Sequence, residues 1–466
     1  MMNKLRKDKI REKNETIEEP RRAALEIIAA VTQKGAYANL ALEKGLRSVN
    51  LATEDKHLVT EIVNGTIRML KHLDWVLNLF VKRPMVKQNP WLRDILRMTL
   101  YQILFMDKIP EYAAVDSAVN LTRIKVGGQL PKVCNGVLRN VLRNRNQVTF
   151  PSREHPIDYL SIYYSHPEWM VEKWLTEFGL EATERMLKHN NRPTGLTLRC
   201  NFLKGSREEL IDILRRQKIE CSSDEYIPWS IRVDSMAAGI HEIDAFKSGW
   251  FYIQDGSSML AAPILAPQPG ELVYDLCSGI GGKSTHLAEF MHNQGQIKAV
   301  EIYEQKLQLL NYNCRRLGIT IVESLLKDIS TIEEDLPRAQ RVLLDAPCSG
   351  LGVLSRRADL RWHKNPEEIK ELVNLQNLLL AKASQLVDKN GRLVYTTCTI
   401  NTAENQQVVN EFLKKNPEFC LENMKENLSF FPLDQDDRNQ AETGMLTLLP
   451  GKYLTDGMFY ASMRRN

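Results

Sequence analysis

Long apolar runs are missing from this chain. No stretch of its 466 residues reaches the ~18 consecutive apolar residues that a membrane-crossing helix needs, which excludes helical membrane proteins. Paired cysteines are missing too. The eight cysteines (134, 200, 221, 277, 314, 348, 398 and 420) are scattered and no two make a C-x-x-C pair, so neither a disulfide framework nor a metal site is expected. Low-complexity tracts are absent, and 43% hydrophobic with 26% charged residues is a globular composition rather than a disordered one. The opening MMNKLRKDKIREKNETIEEP is charged and unlike a secretion signal, so a cytoplasmic protein is expected.

What is present divides along the chain. The length exceeds the ~250 to 300 residues at which single cores stop growing, so two or three domains are expected. The net charge of +4 is unevenly placed: residues 1–150 hold 26 Lys or Arg against 15 Asp or Glu. A polyanion partner would account for such a basic first third, although solvated helix faces would contribute to it. After a charged extension over residues 1–20, apolar residues recur at helical spacing from 21 to 148: Ala24, Ile27, Ile28, Val31; Val59, Ile62, Val63, Ile67, Leu70; Leu92, Ile95, Leu96, Ile103. That period predicts an all-α domain. Its last stretch, TRIKVGGQLPKVCNGVLRNVLRNR, carries Arg123, Lys125, Lys132, Arg139, Arg143 and Arg145 with no acid among them, a pattern suited to a phosphate backbone.

VTFPSREHP reads as a linker because prolines and polar residues break the period. Residues 158–255 are expected to form a small α+β module, with a strand near TLRCNF and a capped helix opening at Ser206. From 256 to 466 strand-like and helical segments alternate: ELVYDLC, KSTHLAEFM, IKAVEI, EQKLQLLNYNCRRLG, IVESLLKD, RVLLDAP, a long helix from Pro366, then GRLVYTTC. Such alternation predicts an open, mainly parallel sheet with helices on both faces, whose ligands bind beyond the carboxyl ends of the strands.

The strand ends carry the chemistry. The first is followed by CSGIGGKS, where Gly279, Gly281 and Gly282 permit a tight turn and the next helix offers free N–H groups. The second ends at Glu301, about 20 residues after Gly281, where an acid can accept from a ribose diol. The third ends at Asp328, placed for an adenine amino group. The fourth and fifth lead to Cys348 in DAPCSG and Cys398 in YTTCTINTAEN. In a parallel sheet both thiols reach one crevice. Two thiols beside a nucleoside pocket, without metal-ligand spacing, suggest nucleophilic catalysis; a strand cysteine taken alone is as readily packing.

These residues resemble the S-adenosylmethionine-dependent RNA cytosine-C5 methyltransferases. The likeness is greatest to the bacterial 16S ribosomal RNA branch of the Sun or Fmu type, which carries a NusB-like N-terminal domain. DLCSGIGGKS, DAPCSGLGV and YTTCTINTAEN match its motifs, as do EIVNGTIR, YQILFMDKIPEYAAVDSAV, HPEWMVEKW, LRCNF and QDGSSMLAA elsewhere. The resemblance implies a multidomain fold: an all-α NusB-like domain, a small α+β module and a C-terminal α/β Rossmann-like class I methyltransferase domain. It implies Cys398 as nucleophile, Cys348 as the thiol of product release, and Asp345 and Lys283 as catalytic. For the cofactor S-adenosylmethionine it implies Cys277, Ser278, Gly279, Ile280, Gly281, Gly282, Lys283, Glu301, Asp328 and Asp345. The reverse order of the thiols is the alternative, because DNA cytosine methyltransferases attack with the cysteine of their Pro-Cys motif; the TC context of Cys398 favours the RNA arrangement.

The family usually reads Ala-Ala-Pro-Gly-Gly-Lys over Ser278–Lys283, and aspartate at Glu301; neither departure removes a functional group. The implied partner is 16S rRNA, unassembled or partly assembled, met by a monomer with no membrane attachment. Arg356, Arg357 and Arg361 are expected to hold nucleotides near the site. A non-catalytic RNA assembly factor and a tRNA methyltransferase are the competing readings.

Overall fold

The computed structural model describes residues 19–193, 195–236, 239–331 and 336–466. The charged extension expected over residues 1–20 lies, but for its last two residues, outside them. The chain forms two compact units, and each is described by itself.

The first unit, running to Arg192 and including Leu354–His363, is helical throughout. Its principal helices are 19–34, Ala38–Arg47, Thr53–Arg68, Leu70–Asn78, Pro90–Phe105, Glu111–Lys125, Leu130–Asn144, Pro156–Tyr163 and Glu168–Asn190. The apolar period converges as expected: Ala24, Ile28, Val59, Ile62, Val63, Ile67, Leu92, Ile95 and Leu96 are fully buried in one core. Asn89 starts the Pro90–Phe105 helix by accepting from the N–H groups of Trp91 and Leu92, the usual role of an amide at an N-cap.

The unit extends past the expected boundary at residue 148. Lys71 Nζ donates to Ser161 Oγ at 3.0 Å, His72 Nδ1 meets the Tyr163 carbonyl at 3.0 Å, and Trp174 is buried. The two helices after the linker therefore pack with the helical unit, and the second compact unit begins at Pro193.

The second unit, Pro193–Val353 with Lys364–Asn466, holds two sheets. The smaller is antiparallel in the order β2–β3–β1–β4, from β1 (Leu196–Cys200), β2 (Glu220–Ser223), β3 (Ser230–Ser235) and β4 (Phe251–Ile253). The helix Arg207–Arg216 covers it, opened by a reciprocal box in which Ser206 Oγ accepts from Glu209 N and Glu209 accepts from Ser206 N.

The larger sheet contains β5 (Leu272–Leu276), β6 (Gln296–Glu301), β7 (Val322–Leu326), β8 (Ala339–Asp345), β9 (Val387–Thr397), β10 (Phe419–Leu421), β11 (Met445–Leu448) and β12 (Met458–Arg465). Their order is β10–β12–β9–β8–β5–β6–β7, with β11 paired to β12. β7, β6, β5, β8 and β9 run parallel and β12 returns antiparallel to β9. Successive strands move outward on one side of β5 and then on the other, so the order reverses between β5 and β8. A crevice must open there, because the crossover helices leave in opposite directions.

Candidate active site

The loop from Cys277 to Gly282 leaves β5 at that crevice. Cys277 (φ 62°) and Gly279 (φ 57°) are left-handed, and Gly281 (φ 88°) caps the helix Gly282–Phe290. At Gly281 a side chain would be strained and would also press on Leu310, 2.9 Å from a Cβ placed there, so only glycine closes the turn. Around Gly279, by contrast, a Cβ would meet nothing within 4 Å. Ser278 N donates to the Val300 carbonyl at 2.9 Å, and Gly279 N to Glu301 Oε2 at 3.0 Å. Ser278 Oγ is buried without a hydrogen-bond partner.

Open backbone, an orphaned hydroxyl and a helix N-terminus suit a ligand that brings a carboxylate and a hydroxylated sugar. Glu301, buried at the end of β6, supports the loop. Its Oε1 accepts from Ile302 N and Tyr303 N at 3.1 and 3.2 Å, and Lys306 Nζ lies 3.3 Å from both oxygens. The extra methylene folds the carboxylate back over its own strand end. Ile280 is exposed, while its carbonyl accepts from Asn313 Nδ2 at 3.1 Å. Asp328 lies past the end of β7, exposed, and its Oδ1 accepts from Ser330 N and Oγ.

On the other side of β5 the site residues touch one another. Lys283, in the first turn of the loop helix, donates from Nζ to Asp345 Oδ2 at 2.7 Å; Thr396 Oγ1 donates to Asp345 Oδ1 at 2.9 Å. Burial works against the Lys283 charge, but Asp345 outweighs it and holds the ammonium above its ordinary range. Cys348 and Cys398 lie with their sulfurs 3.3 Å apart. Hydrogen bonding from Cys348 lowers the Cys398 thiol against the effect of burial, with help from the Lys283 charge. The same bond, with burial, holds Cys348 well above its ordinary value. Within the pair, the shared hydrogen bond and the Lys283 charge favour the deprotonated form at Cys398 over Cys348.

Thr396, Glu404 and Arg199 had no assigned role in the sequence reading. Thr396 was within reach of it, because Asp345 and Thr396 are register partners in the β8–β9 pairing. Arg199, fully buried on β1, donates to Glu289 Oε1 at 2.8 Å, Thr285 Oγ1 at 2.9 Å and the Gly282 carbonyl at 2.6 Å. The small sheet thus fixes the first turn of the helix that carries Lys283.

In the helical unit, Arg21, Arg123, Lys132, Arg139 and Arg143 line a groove of about 1080 Å³ beside the helices Glu111–Lys125 and Leu130–Asn144. The fold brings acids to two members of the basic stretch: Lys125 pairs with Glu26, and Arg145 with Glu111 at 2.6 Å. Arg361 corrects the expectation that it holds nucleotides. It is fully buried in the helical unit, donating to the carbonyls of Ser165 and Asn190 at 3.1 Å each and to Asn191 Oδ1 at 2.9 Å. Arg357 sits over the Tyr37 ring at 6.0 Å, and Arg356 is exposed.

Comparison with known proteins shows the family to which these domains belong. The family described as 16S rRNA methyltransferase RsmB/F matches residues 262–464, the NusB family 18–143, and the ferredoxin-like domain of RsmF/B-like methyltransferases 166–238. The chain is 35% identical to the probable ribosomal RNA small subunit methyltransferase B of Bacillus subtilis, over 95% of this chain and 98% of that one. It is 32% identical to ribosomal RNA small subunit methyltransferase B of Klebsiella pneumoniae, over 89% and 92%. Among solved structures, PH0851 superposes with a TM-score of 0.79 at 28% identity, covering 96% of this chain and 99% of that one. A methyltransferase homologue from Pyrococcus horikoshii gives 0.56 at 26%, covering 66% and 98%. Strand order, module content and near full-length similarity agree, and the chain belongs to the RsmB/F family of small-subunit ribosomal RNA methyltransferases.

Proposed function

We propose that this protein methylates C5 of a cytosine in 16S rRNA, using S-adenosylmethionine, through a transient bond between Cys398 and C6 of the base. The observation that carries the reading is the thiol pair, 3.3 Å apart, beside the Lys283–Asp345 ion pair. Cytosine C5 is a poor nucleophile. Addition of the Cys398 thiolate to C6 pushes an electron pair toward C5 and N3, and Asp345 hydrogen-bonds the base edge and favours protonation at N3, which neutralises the charge that develops. Lys283 holds Asp345 in place for that contact and keeps its charge balanced.

S-adenosylmethionine, held by the Cys277–Gly282 loop with Glu301 and Asp328, supplies an electrophilic methyl group. After transfer a base takes the C5 proton, and the electron pair of that C–H bond forms the C5–C6 double bond as the C6–S bond breaks with its electrons returning to Cys398; Cys348 is assigned to this half of the reaction. The base must leave its stack to expose C6, at roughly a few kcal/mol unless it is already unpaired. Arg123, Lys132, Arg139 and Arg143 contribute phosphate contacts. The protein acts as a cytoplasmic monomer.

Incubating the protein with methyl-labelled S-adenosylmethionine and either unmodified 16S rRNA or tRNA, then identifying the labelled nucleoside, tests the reading. Label in 5-methylcytidine of 16S rRNA is expected. Label confined to tRNA overturns the substrate, and label in another nucleoside overturns the chemistry.

A further inference from the structure

Glu404 lies in the motif YTTCTINTAEN, fully buried six residues after the Cys398 position. Its Oε1 accepts from Ser349 N at 2.8 Å and from Gln376 Nε2 at 3.1 Å. Its Oε2 accepts from Ser349 Oγ at 2.5 Å, Asn401 Nδ2 at 3.0 Å and Thr399 Oγ1 at 3.4 Å. All five partners are donors and none is a cation. Ser349 follows Cys348, and Thr399 follows Cys398. Ser349 Oγ and Thr399 Oγ1 also meet at 2.9 Å, and Gln376 Nε2 reaches the Pro347 carbonyl at 2.9 Å. The Ser349 contacts join one cysteine turn to the other, those of Gln376 tie both turns to the helix Pro366–Gln385 behind them, and Asn401 and Thr399 brace Glu404 within its own turn.

We infer that Glu404 is a positioning residue: its buried carboxylate clasps the turn bearing Cys348 to the turn bearing Cys398, and so sets the separation of the two thiols. The backbone adds a second tie that keeps the turns in register. Gly352 N donates to the Cys398 carbonyl at 3.0 Å. A side chain at Gly352 would meet the Gly457 carbonyl oxygen at 2.3 Å and the Cys398 carbonyl oxygen at 2.8 Å, so the approach is already as close as a backbone allows. That tie fixes the chain direction; the carboxylate fixes the roll of each turn and hence where the sulfurs point. An amide in its place presents an NH₂ to groups that are themselves donors, and a buried donor without an acceptor drives the turns apart. The clasp rests on the two-thiol reading only for its purpose; its geometry can be measured without methyl transfer.

The test is the rate at which diamide, which takes up the two thiol protons and two electrons, closes a Cys348–Cys398 disulfide in the native full-length protein. Glu404→Gln is expected to slow closure about tenfold and methyl transfer at least as much, since small misplacement of reacting groups is costly. Affinity for S-adenosylmethionine should not change. Ser349→Ala, which removes one of the five bonds, should slow closure by about threefold. If Glu404→Gln folds and both rates match wild type, the inference is wrong. If Glu404→Gln does not fold, Ser349→Ala and Asn401→Ala decide: slower closure in both supports the clasp, and wild-type closure in both refutes it. Normal disulfide closure kinetics in a protein that methylates nothing would refute the catalytic reading and leave the clasp standing.

Discussion

On either side of β5, the carboxyl edge of the large sheet is built in two different ways. Toward β6 and β7, the groups facing the crevice are backbone and loop: a left-handed Gly279 with open space around it, an unpartnered Ser278 Oγ, an exposed Ile280 and an exposed Asp328. Toward β8 and β9, the groups are side chains locked to one another: Lys283 on Asp345, Asp345 on Thr396, thiol on thiol, and Glu404 on both cysteine turns. A molecule that enters and leaves in every cycle is served by open backbone and by a hydroxyl that waits unpaired. Atoms that react with one another need a separation that does not wander.

Breaking the second half should have the larger effect. Cys398→Ala is expected to lower methyl transfer by at least about a thousandfold and abolish covalent attachment to RNA. Cys348→Ala should still attack and should accumulate a protein–RNA adduct visible on a denaturing gel. The opposite pattern would exchange the roles of the thiols. In the first half, Glu301→Ala should raise the dissociation constant for S-adenosylmethionine about tenfold while leaving kcat at saturation within about threefold, as calorimetry and saturation kinetics would show. An equal loss in kcat would erase the distinction between the halves.

A smaller effect belongs to the helical unit. Arg139→Ala with Arg143→Ala should weaken RNA binding several-fold and lower the slope of log affinity against log salt by roughly 2. An unchanged slope would remove the groove from the interface.

The smallest concerns Asp275, on β5 where the two halves meet. It is fully buried, its Oδ2 accepts from Ser284 Oγ at 2.5 Å, and burial pushes its carboxyl up to about 7. Because the folded value lies above the unfolded one, the folded state binds the proton more tightly. The stability this gives is complete below the unfolded value and is lost as pH rises through 7. Between pH 6 and 8.5 wild type should lose on the order of 1 kcal/mol through this group. Asp275→Asn should lose less over that range, and equal melting shifts would show that the carboxyl is ionised throughout.

Much of this was legible in the amino-acid order. The strand–helix alternation gives the parallel sheet, and a parallel sheet gathers Glu301, Asp328, Cys348 and Cys398 at one edge whatever the detailed register. Periodicity likewise selected the buried faces of the first helices, with Leu70 and Ile103 only partly covered. Hydrogen-bond partners far apart in sequence were not legible. Arg361 reads like a surface arginine beside a motif, yet its guanidinium closes around carbonyls some 170 residues away or more. The basic stretch contains no acid, but Glu26 and Glu111 arrive from other turns of the chain. Glu404 reads as one acid among polar residues, and only the folded turns make it a shared acceptor.

The ion pair between Arg199 and Glu289 bears on how this architecture can be rearranged. Both side chains are fully buried, and they come from the small sheet and from the loop helix. Losing either partner would strand the other's charge at a cost of roughly 3–5 kcal/mol, comparable to the whole stability margin of many domains. A recombination joint between the small sheet and the loop helix would therefore be tolerated only if both partners crossed together.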